Sequence, residues 1–267
     1  MKANSNKISR TRAKGGFHIA AVMLFIAPTV QAGDGHDHKL GVQLFQLCSA
    51  CHGPQGHGNR VLMAPAIAGL PEWYVVNQLR KFKNGGRGAH PADISGLRMR
   101  PMARTLDSGR DKERNRKEVD VHTVAHYVSE LKPKQPQDTL EGGDPARGKT
   151  TYLLCMACHG EKSEGKKELK APTQVYLEDW HMLEQLKKFK RGLRGANPKD
   201  IEGMTMRPIL VAALQKAKAD AEREGVSITD EQAMKDVVAY IRQTARETAT
   251  EKPKPASTPT STPAKPK

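Results

Sequence analysis

The chain has 267 residues, and its 44 lysines and arginines against 29 acidic residues give a formal charge of +15. Aromatic residues make up only 4% of the chain, so side chains alone would form a thin core for a domain of this size. Beyond the N-terminal segment, no apolar run is long enough to cross a membrane.

Residues 1–32 have the pattern of a secretory signal peptide. Five basic residues and no acid precede an apolar stretch from Phe17 to Val30, and Val30-Gln31-Ala32 places small residues at a cleavage position. The stretch is short for a bilayer span, and an uncleaved anchor is the alternative. The sequence therefore predicts a periplasmic protein that begins with a short leader at 33–39. Its formal charge would be +10, because 39 basic residues then oppose 29 acids.

All four cysteines lie in two copies of one motif, Cys48-Ser49-Ala50-Cys51-His52 and Cys155-Met156-Ala157-Cys158-His159. C-x-x-C-H is the attachment signature of a c-type haem, in which both thiols bind the porphyrin and the histidine ligates the iron. A zinc site, a thioredoxin-like redox pair and two structural disulfides are the alternatives. The duplication and the export signal favour two covalently bound haem c groups, which would also supply apolar mass to the core.

The two motifs head two copies of a longer repeat with an offset of 107 residues and no gap up to Pro208. A methionine thioether is the usual sixth ligand of c-type iron. Of the methionines after the motifs, Met99 and Met206 occupy equivalent positions, whereas Met102 aligns with Ile209. Met99 and Met206 are therefore the predicted axial ligands opposite His52 and His159; the alternative is that they only pack over the ring edge.

Each repeat also has an Ala-Pro pair after the haem motif. A ligating histidine normally donates its second ring N–H to a carbonyl group. Pro65 and Pro172 stand in the loops where such a carbonyl is expected, although an ordinary loop proline is an equally good interpretation.

In chain order, the first domain is predicted at 40–134 and the second at 144–247, joined by a linker at 135–143. Asp144 is a predicted N-cap with Pro145 at the first helical position. The last residues, 248–267, have a Pro/Thr/Lys composition that predicts disorder. The expected helices are Leu40–Cys48, Glu72–Lys83, Val119–Leu131, an extra helix at Ile209–Glu224, and a closing helix that starts at Thr229-Asp230-Glu231. Between them, a loop is expected to deliver Met99, and a charged turn is expected at Asp111–Glu118.

These features resemble class I cytochrome c domains, and two in tandem behind a signal peptide resemble the bacterial di-haem members of that class. The resemblance rests on C-x-x-C-H, the Ala-Pro loop, a tryptophan-containing helix that ends in Lys-Phe-Lys, a late Met-x-Pro, and a closing helix with Tyr127 or Tyr240. The haem domain fused to subunit II of some haem–copper oxidases is also similar. The resemblance implies an all-α fold of two haem domains.

Iron that is closed by histidine and methionine has no position left for a substrate, so the sequence favours an electron carrier over an enzyme. Its expected partners are redox proteins, such as a quinol-oxidising complex as donor and a terminal oxidase or reductase as acceptor, with no nucleic acid. Peripheral association with an anionic membrane is compatible with the charge. The alternatives are a di-haem enzyme with one open haem, of the peroxidase or sulfur-oxidising kind, and a subunit of a quinol-oxidising or terminal oxidase complex. Seven basic residues are placed to steer an acidic partner near the haem edges, and a solvated helix face is an equally good interpretation of them: Lys81, Lys83, Arg87, Lys188, Lys190, Arg191 and Arg194.

Overall fold

The computed structural model describes residues 37–106 and 119–250. The predicted signal peptide, the charged turn at Asp111–Glu118 and most of the predicted tail lie outside these residues. The described chain is all α-helical, as predicted, and its two isolated β-bridges do not extend into strands. Its helices are α1 (His38–His52), α2 (Glu72–Asn84), α3 (Ile94–Thr105), α4 (Val119–Glu130), α5 (Pro145–His159), α6 (Asp179–Lys190), α7 (Ile201–Arg223) and α8 (Asp230–Thr250).

The helices form two domains with the same local plan, because α5 begins and ends 107 residues after α1. Helices α1 and α5 are both capped by an aspartate, since Asp37 accepts from the Leu40 N–H and Asp144 from the Ala146 N–H. The expected N-cap at Asp144, followed by Pro145, is therefore present. After each haem motif the chain turns through one antiparallel bridge, Asn59 with Ala64 and Lys166 with Ala171.

The first and last helices of each domain cross at a glycine. A Cβ atom on Gly41 of α1 would lie 2.9 Å from Tyr127 Cβ of α4. A Cβ atom on Gly148 of α5 would collide with the carbonyl oxygen of Asp236 in α8. The predicted inward faces of the closing helices are buried around these crossings: Val121, Val124, Ala125, Val128, Ala233, Val237, Val238 and Ile241.

Two expectations about the methionine segments are wrong. Met99 lies within helix α3 and not in a loop, because the Asp93 side chain caps the Gly96 N–H and the helix continues through Pro101. In the second domain, the residues predicted as a separate helix at Ile209–Glu224 continue the same helix as Met206, so that α7 has 23 residues. Good helix-forming residues flank each proline, and their helix propensity outweighs the hydrogen bond that is lost because proline has no N–H.

The segment between the domains packs against the second domain. Arg242 of α8 is only 2% exposed, and its guanidinium donates to Asp138 Oδ1 at 2.9 Å and to the Pro136 carbonyl at 2.8 Å. The Asp179 carboxylate accepts from Thr139 Oγ1 at 2.8 Å and from the Leu140 N–H at 2.7 Å. Partly buried hydrogen bonds at residues 136–140 therefore hold the segment in place.

The domain interface includes two equivalent ion pairs. Lys81 Nζ lies 2.6 Å from Asp200 Oδ1, and Lys188 Nζ lies 2.6 Å from Asp93 Oδ1. Lys188 and Asp200 follow Lys81 and Asp93 by 107 residues, so each domain offers the same patch to the other, as in a two-fold symmetric dimer.

This interface corrects the proposed steering surface. Four of these side chains are buried and therefore do not face a partner in solution: Lys81, Arg87, Lys188 and Arg194.

Within the described ranges, no helix is both long and apolar enough to span a bilayer.

Candidate haem sites

Each C-x-x-C-H motif occupies the last turn of a helix, α1 or α5, and a glycine with positive φ ends it (Gly53, φ 80°; Gly160, φ 84°). All four cysteines are free. Burial raises the pKa of Cys48 to about 11 and that of Cys155 to about 12. A thioredoxin-like thiol has a lowered pKa, so this environment does not favour that alternative.

The two motif histidines are buried, and in each domain the ring Nδ1 faces the carbonyl of a proline in the loop that follows. His52 Nδ1 lies 2.7 Å from the Pro65 carbonyl oxygen, and His159 Nδ1 lies 3.0 Å from that of Pro172. Burial lowers the pKa of both imidazoles. A neutral ring that donates from Nδ1 to this carbonyl keeps the lone pair of Nε2 for a metal, which is the arrangement that an axial ligand needs.

A cleft in the first domain brings the motif and the methionine segment together. Cys48, Cys51 and His52 line it from α1, Pro65 lines it from the loop, and Met99 lines it from α3. Met102 lines the same cleft, so the equivalence between the repeats is what distinguishes the two methionines. Met206 packs against the buried cluster of the second domain, as Met99 does in the first.

The second domain also contributes to the first cleft, which the sequence did not predict. Its lining includes the following residues of the second domain: Leu177, Trp180, His181, Glu184, Gln185 and Lys188. Burial and nearby positive charge, from Arg87 among others, hold the pKa of His181 well below its usual value. No spacing within one repeat could show these residues, because they reach the cleft through the arrangement of the domains.

Four arginines bear on whether a haem fits, and one of them, Arg87, lines the first cleft. Arg87, Arg100, Arg194 and Arg207 form two repeat-related pairs, and each has a buried Nε atom without a hydrogen-bond partner. A buried donor without a partner is costly, so such a set indicates an absent acceptor. Haem carries two propionate carboxylates, which are suitable acceptors for guanidinium groups. The residues present therefore fit the group that the motifs predict.

Comparison with known proteins agrees with this chemistry. The sequence model of the cytochrome c family matches residues 38–132 and again 145–245. A thiosulfate dehydrogenase electron acceptor from Thiomonas intermedia (strain K12) is 33% identical over 161 residues, which cover 57% of this chain and 66% of that relative. Cytochrome c4 from Azotobacter vinelandii is 27% identical over 203 residues, with 72% of this chain and 89% of the relative covered.

Two solved structures have a similar fold. Reduced recombinant cytochrome c4 from Pseudomonas stutzeri superposes with a TM-score of 0.50 at 21% identity, over 78% of this chain and 98% of the other. A thiosulfate dehydrogenase from Marichromatium purpuratum gives a TM-score of 0.53 at 22% identity, over 77% of this chain and 40% of the other. At these identities the likeness concerns the fold.

Proposed function

Because the chain belongs to the cytochrome c family, with two of its domains in tandem and two covalently bound haem c groups, we propose that it carries electrons between redox proteins and is not itself an enzyme. Cys48 and Cys51 attach one haem, and Cys155 and Cys158 attach the other. His52 and Met99 ligate the first iron, and His159 and Met206 ligate the second. The observation that supports this assignment is the cleft that brings Met99 together with His52.

When bound, each haem supplies an iron that changes between the ferric and ferrous states. The chain holds the histidine ring through Pro65 or Pro172, which fixes the direction of its free nitrogen. Met99 and Met206 would favour the reduced state of the irons and would leave no position for a substrate. Arg87, which lines the first cleft with an unpartnered Nε atom, would pair with a haem propionate.

We place the protein in the periplasm, since residues 1–32 have the pattern of a cleaved signal. A quinol-oxidising complex as donor and a terminal oxidase or reductase as acceptor suit a respiratory carrier with closed irons. The basic charge is compatible with peripheral binding to an anionic membrane.

Carbon monoxide tests the ligand assignment. The reduced native protein should show no change in its visible spectrum with carbon monoxide, because both irons are closed. In Met99→Ala, about half of the haem should bind it, since one of two irons is opened. Met102→Ala is the matched control, because Met102 lines the same cleft without a counterpart in the second repeat. A response in the native protein would favour an enzyme with an open haem, and a response in Met102→Ala alone would reassign the ligand.

A thiosulfate dehydrogenase is a second candidate donor, favoured by the relative that is named as the electron acceptor of such an enzyme. The oxidised protein should be reduced by thiosulfate only when a thiosulfate dehydrogenase is added. Reduction by thiosulfate alone would identify an enzyme rather than a carrier. No reduction in the presence of active dehydrogenase would exclude this donor.

A further inference from the structure

One peptide group in the loop after the first haem motif is hydrogen-bonded on both of its sides. Its carbonyl belongs to Pro65 and lies 2.7 Å from His52 Nδ1. Its N–H belongs to Ala66 and donates to the Glu178 carboxylate, at 2.9 Å from Oε1 and 3.1 Å from Oε2. Glu178 is a residue of the second domain. A chain of hydrogen bonds thus starts at the motif histidine of one domain and ends at a carboxylate of the other.

The fold directs the Glu178 side chain to this peptide group. Glu178 is the N-cap residue of α6, but its side chain makes no capping hydrogen bond to that helix. Gly58, with φ 85°, leaves room for it, since a Cβ atom there would lie 2.5 Å from Glu178 Oε1. Burial raises the pKa of Glu178, whereas the hydrogen bond from Ala66 and the charge of Arg242 favour its ionised form. The charge therefore lies where water screens it less than at the open surface.

The repeat supplies an internal comparison. In the second domain the equivalent peptide group joins Pro172 to Thr173, and its carbonyl lies 3.0 Å from His159 Nδ1. The residue equivalent to Glu178 is Pro71, which has no carboxylate. At this position the carboxylate therefore belongs to the first haem alone, and the histidine–carbonyl distance is the shorter one there.

We propose that Glu178 is a positioning residue that lowers the reduction potential of the first haem through the Pro65–Ala66 peptide group. Hydrogen bonds in a chain polarise one another, so a carboxylate at the N–H makes the carbonyl on the other side a stronger acceptor. A stronger acceptor at Nδ1 raises the basicity of Nε2 in His52, and a more basic axial ligand stabilises ferric iron. The inference rests on the proposed function, in which His52 ligates the first iron, and is independent of the sixth ligand.

Glu178→Gln tests this chain of hydrogen bonds, because glutamine keeps an acceptor oxygen and removes the charge. At pH 8 and a fixed electrode potential, the ratio of reduced to oxidised first haem should rise about tenfold, which is about 59 mV for a one-electron couple. The second haem should not change. Haem-methyl NMR signals followed through a potentiometric series report each haem, and contacts with the Cys48 Cβ protons assign the first. In the reduced protein, the Nδ1 proton signal of His52 should move upfield as its hydrogen bond weakens, and that of His159 should stay in place.

Glu184→Gln is the matched control, because Glu184 is also a second-domain carboxylate that lines the first cleft, and it lies 3.8 Å from Lys187 Nζ. It should leave the His52 Nδ1 proton signal in place. An unchanged ratio for the first haem in Glu178→Gln would overturn the proposal. A changed ratio with an unmoved His52 signal would also overturn it, since the charge would then act only through space. A native protein without low-spin haem in its visible spectrum would instead contradict the proposed function.

Discussion

Lys81 and Lys188 are equivalent residues with unequal surroundings. Lys81 lies 2.6 Å from Asp200 and 2.5 Å from Glu202, whereas Lys188 contacts Asp93 and the hydroxyl of Ser95. The first lysine therefore has two carboxylates and the second has one. Removing the single carboxylate would leave a buried ammonium group without an opposite charge, which is strongly destabilising.

Asp93→Asn should accordingly lower the free energy of unfolding by about 3 kcal/mol or more. The matched variant Asp200→Asn should cost less, because Glu202 stays with Lys81. An asparagine preserves the N-cap oxygen at both positions, so the comparison isolates the charge. Urea unfolding of the haem-loaded proteins measures the difference. Equal losses would mean that Glu202 contributes no compensation.

The effect of Asp93→Asn should depend on pH. Burial opposes ionisation of Asp93, but hydrogen bonds from Lys188 and the Gly96 N–H prevail and lower its pKa below the usual value. A lowered pKa means that the stabilisation is fully present above the unfolded-state pKa of about 3.9 and is lost as pH falls through the folded value. The stability gap to the native protein should thus be constant from neutral pH to about pH 5 and shrink in more acidic solution. A gap that widens there would contradict this sign.

The glycines at the helix crossings decide how closely the helices of each domain approach. A Cβ atom on Gly148 would overlap the backbone carbonyl of Asp236, whereas one on Gly41 would lie 2.9 Å from the Tyr127 Cβ atom, which is a milder clash. We expect Gly148→Ala to lower stability by about 1–3 kcal/mol despite the better helix propensity of alanine, and Gly41→Ala to cost less. Thermal unfolding of each variant measures this. Lys149→Ala, at an exposed neighbour in α5, is the control, and a Gly148→Ala protein as stable as that control would show that the helices can separate.

Most helices could be predicted from the sequence, but the helical state of the methionine segments could not. Periodic apolar residues and the Asp144-Pro145 start predicted the helices that close each domain, since such signals act within a few residues. The segment that carries Met99 is predicted as a loop, and prolines such as Pro101 and Pro208 are unusual inside helices. In the structure both lie inside helices that an aspartate caps, because the cap and the flanking residues outweigh one missing N–H.

At the scale of the whole molecule, the segment between the domains depends on Arg242. Arg242→Met should loosen the segment at residues 134–138, because the Pro136 carbonyl and Asp138 lose their buried partner. We expect trypsin to cleave after Lys134 at least several-fold faster, as exposed segments are the preferred sites of nicking. Arg246→Met is the control, since Arg246 also pairs with Asp138 but is 54% exposed. Equal cleavage of the two variants would show that the buried guanidinium does not hold the segment.

The arrangement of the two domains could not be predicted from the repeat. The offset of 107 residues identifies equivalent positions, but it does not say which surfaces meet. The sequence alone therefore indicates that both residues are exposed, with Lys81 on a helix face and Arg87 in the turn that follows. Only the contact between domains shows that the first is neutralised by Asp200 and the second lies beside Gln185.

Because both halves of the reciprocal interface lie in one chain, a mutation can change one end of the contact without changing the other. In a pair of identical subunits, every mutation at a two-fold interface appears at both ends, so a change must suit two contacts at once. A single chain that contains both halves removes this restriction. Glu202 stands opposite Lys81 while Ser95 remains opposite Lys188, a difference that no homodimer could encode. In this single chain, the two ends of the contact therefore differ in charge.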